Sequence, residues 1–136
     1  TRRAERRKHL DKPERKRVLV VDDDLDVLRS IRRLLEEYAD VKVALGAEAA
    51  LEHIAKTQAE EGAIYDVVIV DFNMVGPNGA WLLRHIRDKY PTTERILVSG
   101  SSYFDLANFL DPGLVDRFLE KPVDFEELIE AVSPEE

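Results

Sequence analysis

Five polar side chains stand where apolar runs stop. Val18-Leu19-Val20-Val21 runs into Asp22-Asp23-Asp24, and Val67-Val68-Ile69-Val70 runs into Asp71. Ile96-Leu97-Val98 meets Ser99, and Phe118-Leu119-Glu120 meets Lys121. If these ends converge, three carboxylates, a hydroxyl and an ammonium share one cleft. Clustered carboxylates repel one another unless a hard cation binds them or their pKa values rise. Oxygen donors without cysteine or a paired histidine favour a six-coordinate cation, most simply Mg²⁺, which keeps several waters. That leaves room for a phosphoryl group, whose charge the cation and Lys121 would offset together. Asp24 and Asp26 read instead as caps of a following helix. Pro122 holds the backbone of Lys121 in the extended region, aiming its side chain across the strand ends.

Runs of β-branched residues that are apolar on both faces are buried strands of a parallel sheet. The elements between them have helical period. Val27, Leu28, Ile31, Leu34, Leu35 and Tyr38 form one apolar stripe, with Arg29, Arg32, Arg33, Glu36 and Glu37 opposite. Residues 40–44 alternate and read as a second strand at an edge, with Lys42 outward. Ala49 to Ala55 mark a second helix ending near Glu61-Gly62. Residues 65–71 read as the third strand, and Val75-Gly76-Pro77-Asn78-Gly79 as a turn. Trp81, Leu82 and Ile86 line a third helix, stopped by Pro91, with Trp81 expected to pack it on the sheet. Residues 95–99 read as a fourth strand, 103–110 as a short helix, and 116–120 as a fifth strand. Asp124 caps a last helix in which Phe125, Leu128, Ile129 and Val132 are expected to face inward. Five strands alternating with five helices specify an α/β, doubly wound parallel sheet. Its chemistry lies beyond the carboxyl ends of the strands.

The chain has 136 residues, enough for one core. It has no cysteine, which excludes disulfides, thiolate metal sites and cysteine nucleophiles. No apolar stretch approaches a membrane span, and no signal-peptide core appears. A cytoplasmic location is expected. The net charge of −8 is uneven: residues 1–17 hold nine Lys/Arg against three Asp/Glu, a net +6. The remainder holds eleven against twenty-five, a net −14, so direct nucleic-acid binding by the body is not expected. The division read is a basic arm or linker over 1–17, a folded domain over 18–132 and a tail over 133–136. The chain starts at Thr1 and is expected to be a piece of something longer. His9, His53 and His85 lack a histidine partner at metal spacing and read as surface residues.

Taken in order, Val20-Val21-Asp22-Asp23, Val70-Asp71-Phe72-Asn73-Met74 with Gly79 eight residues past the aspartate, Leu97-Val98-Ser99-Gly100 and Phe118-Leu119-Glu120-Lys121-Pro122 resemble the receiver domain of two-component response regulators. The resemblance implies a flavodoxin-like sheet of strand order 2-1-3-4-5. It makes Asp71 the phosphoacceptor for a histidine kinase or phosphotransfer protein, and Asp22, Asp23, Asp71 and the backbone carbonyl of Asn73 the Mg²⁺ ligands. Lys121 would pair with a phosphoryl oxygen, while Ser99 and Phe118 would be the switch pair. Such a domain is not a turnover enzyme, beyond self-catalysed phosphoryl transfer and autodephosphorylation. The output face, and a possible homodimer, would involve the fourth helix, fifth strand and fifth helix, about residues 101–132.

The sequence departs from the family pattern in four places. Met74-Val75 replaces Met-Pro, with the proline displaced to Pro77. Gly100 stands for alanine, Ser99 for threonine, and Phe118 for the frequent tyrosine. Two other functions compete. A phosphatase of the haloacid dehalogenase type would need an aspartate where Asn73 stands, and room for a substrate cap. A phosphorylation-independent interaction module would not need the full set of Asp22, Asp23, Asp71, Ser99 and Lys121. Whether the domain is a stand-alone regulator or part of a hybrid histidine kinase depends on the domain order of its gene.

Overall fold

The computed structural model describes residues 15–134. The strands are β1 (Arg17–Asp22), β2 (Asp40–Leu45), β3 (Val67–Asp71), β4 (Glu94–Ser99) and β5 (Arg117–Glu120). Between and after them lie α1 (Leu25–Leu35), α2 (Ala47–Glu61), α3 (Gly79–Lys89), α4 (Tyr103–Leu106) and α5 (Phe125–Val132). The five strands are parallel, in the order β2-β1-β3-β4-β5. The expected basic arm lies outside the described residues except for 15–17, as does the tail except for 133–134.

The period of two along each central strand divides the core. Val18 and Val20 of β1, with Ile69, Ile96 and Val98, pack under α1 and α5. Leu19 and Val21, with Val68, Val70 and Leu97, pack under α2, α3 and Leu106 of α4. Covering both faces explains why β1, β3 and β4 are nearly uninterrupted apolar runs. Each large side chain fully buried there contributes about 1.5–3 kcal/mol of transfer free energy.

The helix starts carry the polar residues that orphan amides require. Asp24 accepts from the amides of Asp26 and Val27, Asn78 from Trp81, and Asp124 from Glu126. Gly62 ends α2 with φ 65°, a left-handed conformation suited to glycine.

Three expectations require correction. The third strand begins at Val67 rather than Tyr65: Asp66 joins the backbones of Arg17 and Glu94 at the strand's entry, while Tyr65 turns away from the ladder. The carbonyl of Tyr65 accepts from Thr93 Oγ1, and the Asp66 carboxylate accepts from the amide of Arg17. The short helix expected over 103–110 stops at Leu106 and continues as a 3₁₀ turn (Ala107–Phe109). Leu106 and Leu110 are its buried anchors, while Phe104 and Phe109 face solvent. Phe125 does not face inward: as the first residue of α5, without a preceding helical turn to pack against, it is 66% exposed.

Candidate functional site

Parallel register brings the strand ends level. Val21 lies opposite Val70, Asp71 opposite Val98, and Ser99 opposite Glu120, one residue before Lys121. Asp22, Asp23 and Asp71 consequently place carboxylate oxygens within 4.8 Å of one another. Asp22 Oδ1 accepts from the amide of Asp24 at 3.1 Å, and Asp23 Oδ2 from the amide of Val75 at 2.8 Å. Lys121 Nζ lies 3.3 Å from Asp71 Oδ1, across the gap between β5 and β3. The Lys121–Pro122 peptide is cis.

Burial sets the electrostatics. Asp22 and Asp71 are buried, whereas Asp23 and Lys121 are exposed. A cavity of about 280 Å³ beside them is walled by Val20, Ile69, Val98 and Leu128. Loss of solvation against such walls disfavours the charged form of a carboxyl. Desolvation accordingly raises Asp71 above the usual carboxylate range, despite the opposing Lys121 charge and the backbone amide of Asn73. Asp22 is raised by the same cause, with the Asp71 charge adding to it. Asp71 Oδ1 is enclosed without a well-directed hydrogen bond, the Lys121 ammonium being a loose neighbour at 3.3 Å. Three carboxylates, one of them carrying an oxygen that lacks a hydrogen-bond partner, fit a hard divalent cation.

Ser99 has no exposed surface, and its Oγ accepts from the amide of Ser101 at 3.0 Å. The Phe118 ring is half-buried and meets Tyr103 edge-on, with centroids 5.5 Å apart. Gly79 opens α3 directly against the end of β3. A Cβ on it would lie 2.7 Å from the carbonyl oxygen of Asp71 and 2.9 Å from Phe72 Cα. Glycine is therefore the residue that lets α3 approach the end of β3.

Asn73 is an exposed loop residue beside Asp71. His53 and His85 stand apart from the cluster. His85 bonds the carbonyl of Trp81 through Nδ1, and its ring lies 4.1 Å from the Trp81 ring. His53 is half-buried, and burial with nearby Lys42 and Lys56 lowers its pKa. Sequence reasoning missed the amide of Val75. The available signal was a residue with an N–H at the position where the family pattern places proline.

The model of the response regulator receiver domain matches residues 18–133. The chain belongs to that family. The receiver domain is 31% identical over 113 residues to the transcriptional regulatory protein CiaR of Streptococcus pneumoniae, covering 82% of this chain and 47% of CiaR. It is 30% identical over 114 residues to the response regulator ArlR of Staphylococcus saprophyticus, covering 83% of this chain and 49% of ArlR. The receiver domain thus spans about half the length of these relatives. Among solved structures, a CheY-like receiver domain protein from Methanospirillum hungatei superposes with a TM-score of 0.74 at 28% identity. That match covers 86% of this chain and 90% of the other. The response regulator TrrA of Thermotoga maritima, solved in complex with Mg(2+)-BeF, gives a TM-score of 0.69 at 31% identity, covering 86% and 96%. The doubly wound fold and the two-component assignment read from the sequence hold. Receiver domains of this family switch by phosphorylation and interact with histidine kinases or phosphotransfer proteins. Among the described residues, no helix is long and apolar enough to cross a membrane.

Proposed function

We propose that Asp71 is the phosphoacceptor of this receiver domain. The observation that carries the reading is the pairing of a buried, enclosed Asp71 Oδ1 with Lys121 Nζ at 3.3 Å, beside two further carboxylates. In this reading an Asp71 oxygen attacks the phosphorus of a phosphohistidine, the P–N bond breaks, and its electron pair leaves with the imidazole. The product is an acyl phosphate. Lys121 bonds a phosphoryl oxygen and offsets its charge. Asp22, Asp23, Asp71 and the Asn73 carbonyl would hold Mg²⁺, which when bound neutralises charge on the phosphoryl oxygens.

Ser99 and Phe118 are the proposed switch. Ser99 Oγ would exchange the Ser101 amide for a phosphoryl oxygen, and Phe118 would leave Tyr103 as it turned inward. Tyr103 and Phe104 on α4 and Phe109 in the 3₁₀ turn after it are exposed, which supports a partner or homodimer face on α4, β5 and α5. The proposed domain boundaries remain 18–132, with a basic arm before and a short tail after. The −14 charge of residues 18–136 supports a protein partner for the body rather than nucleic acid. A cytoplasmic histidine kinase or phosphotransfer protein is the proposed donor.

Incubation with acetyl phosphate and Mg²⁺ should add one phosphoryl group by intact mass. The same gain in Asp71→Asn would defeat the assignment of the acceptor. Partner binding unaffected by Asp71→Ala would favour an interaction module that needs no phosphate.

A further inference from the structure

The loop between β3 and α3 reaches Asp23 through the amide of Val75. Val75 N–H donates to Asp23 Oδ2 at 2.8 Å, a charge-assisted hydrogen bond by its length. The Val75 side chain is 87% exposed, so its backbone is what engages the cluster. Gly76 follows with φ 84°, a left-handed conformation that turns the chain immediately after the donor. Asp23, Asn73, Met74 and Val75 line a shallow depression beside the site. Asp23 is the exposed member of the three carboxylates, the one whose side chain packing holds least.

We infer that the backbone amide of Val75 is a positioning group for the metal site, fixing the Asp23 carboxylate in the orientation that completes the oxygen set. This inference rests on Asp22, Asp23 and Asp71 being the Mg²⁺ ligands. An exposed carboxylate samples several rotamers, and binding a cation through it requires one of them. The Val75 amide selects that orientation before the ion arrives, which reduces the ordering cost of binding. Because one bond joins Asp23 to residues 72–78, the loop and the ion site are linked: whatever moves the loop alters cation affinity, and the cation in turn restrains the loop.

The test uses the full chain without phosphodonor, with Mg²⁺ alone as the probe, by calorimetric titration. Val75→Pro deletes the N–H and should weaken Mg²⁺ binding about tenfold or more, the share expected of one hydrogen bond to a charged group. Val75→Ala, which keeps the N–H, should restore the parent affinity. Amide exchange by NMR gives a second readout that does not depend on how the proline variant folds. The Val75 amide should be protected in the parent and lose that protection in Asp23→Ala. Equal Mg²⁺ affinity in a folded Val75→Pro variant, or a Val75 amide exchanging equally fast in the parent and Asp23→Ala, would overturn the inference while leaving the metal site intact. A parent chain that binds no Mg²⁺ would overturn the metal site and the inference together.

Discussion

Gly79→Ala isolates a steric requirement at the end of β3. The added methyl would sit 2.7 Å from the Asp71 carbonyl oxygen, 2.9 Å from Phe72 Cα and 3.0 Å from Leu97 Cδ1. Carbon atoms normally pack at about 3.5–4.0 Å, so α3 must withdraw by roughly 0.5–1 Å or distort the end of β3. Two of the three contacts are backbone, and no rotamer change relieves them. Overpacking of this kind costs about 1–3 kcal/mol, offset by up to about 1 kcal/mol of helix propensity gained over glycine. The net expectation is a loss of about 1–2 kcal/mol. Urea denaturation should register it as a midpoint lower by roughly 0.5–1 M with the slope preserved. Gly100→Ala is the matched control, because a Cβ there meets nothing within 4 Å. It should change stability by less than about 0.5 kcal/mol. Since the clash falls on Asp71 and Phe72, Gly79→Ala should also slow phosphorylation by acetyl phosphate about tenfold or more. Equal urea midpoints for the two variants would refute the steric argument.

Three further expectations concern other parts of the fold. Asp22 and Asp71 are raised carboxyls, so the native state holds their protons more tightly than the unfolded chain. Their contribution therefore grows as pH falls from 7 toward the ordinary value of 3.8, and is lost as pH rises through the folded values. Without divalent cation, Asp71→Asn should be more stable than the parent at pH 7 and show a weaker pH slope between 7 and about 5 in denaturant titrations. Arg95 is a buried guanidinium that donates to the carbonyls of Leu114, Thr93, Pro91 and Gly113. Arg95→Met should cost about 2–4 kcal/mol by leaving some of these unpaired, measured by thermal and urea unfolding. In α5, Leu128→Ala should cost about 2–5 kcal/mol and Phe125→Ala less than about 1 kcal/mol, an order that a buried Phe125 would reverse.

The parts of this fold legible in sequence are those in which one physical constraint dominates. Unbroken apolar runs at 18–21 and 67–70 betray strands covered on both faces, and a carboxylate ending such a run has few structural uses. Asp22, Asp71, Ser99 and Lys121 are therefore legible as a set, because parallel topology places every strand's carboxyl end on one edge. What escaped depends on geometry between elements. Helical spacing puts Phe125 in phase with Leu128, Ile129 and Val132, yet phase does not say where the sheet stops supplying a partner. The start of β3 is not legible because Tyr65 is β-prone and buried, while its carbonyl is taken by Thr93 from a distant loop. The Val75 amide is invisible to any pattern of side chains, since its contribution is a backbone N–H.

The two edges of the sheet are secured differently. At the amino ends of the strands, Arg17, Thr93 and Arg95 cross-link neighbouring segments through Asp66, Tyr65 and Asp116. At the carboxyl ends, the loop interiors lean on backbone amides bonded to side chains, such as Val75 to Asp23 and Ser101 to Ser99. Backbone amides near Arg17 and Arg95 should therefore exchange with solvent only through global unfolding, whereas those of loops 72–78 and 99–102 should open locally at far lower free energy. A molecule hinged in this way can be remodelled by chemistry at one edge without loosening the other, so the cost of signalling falls on a few loop residues rather than on the core.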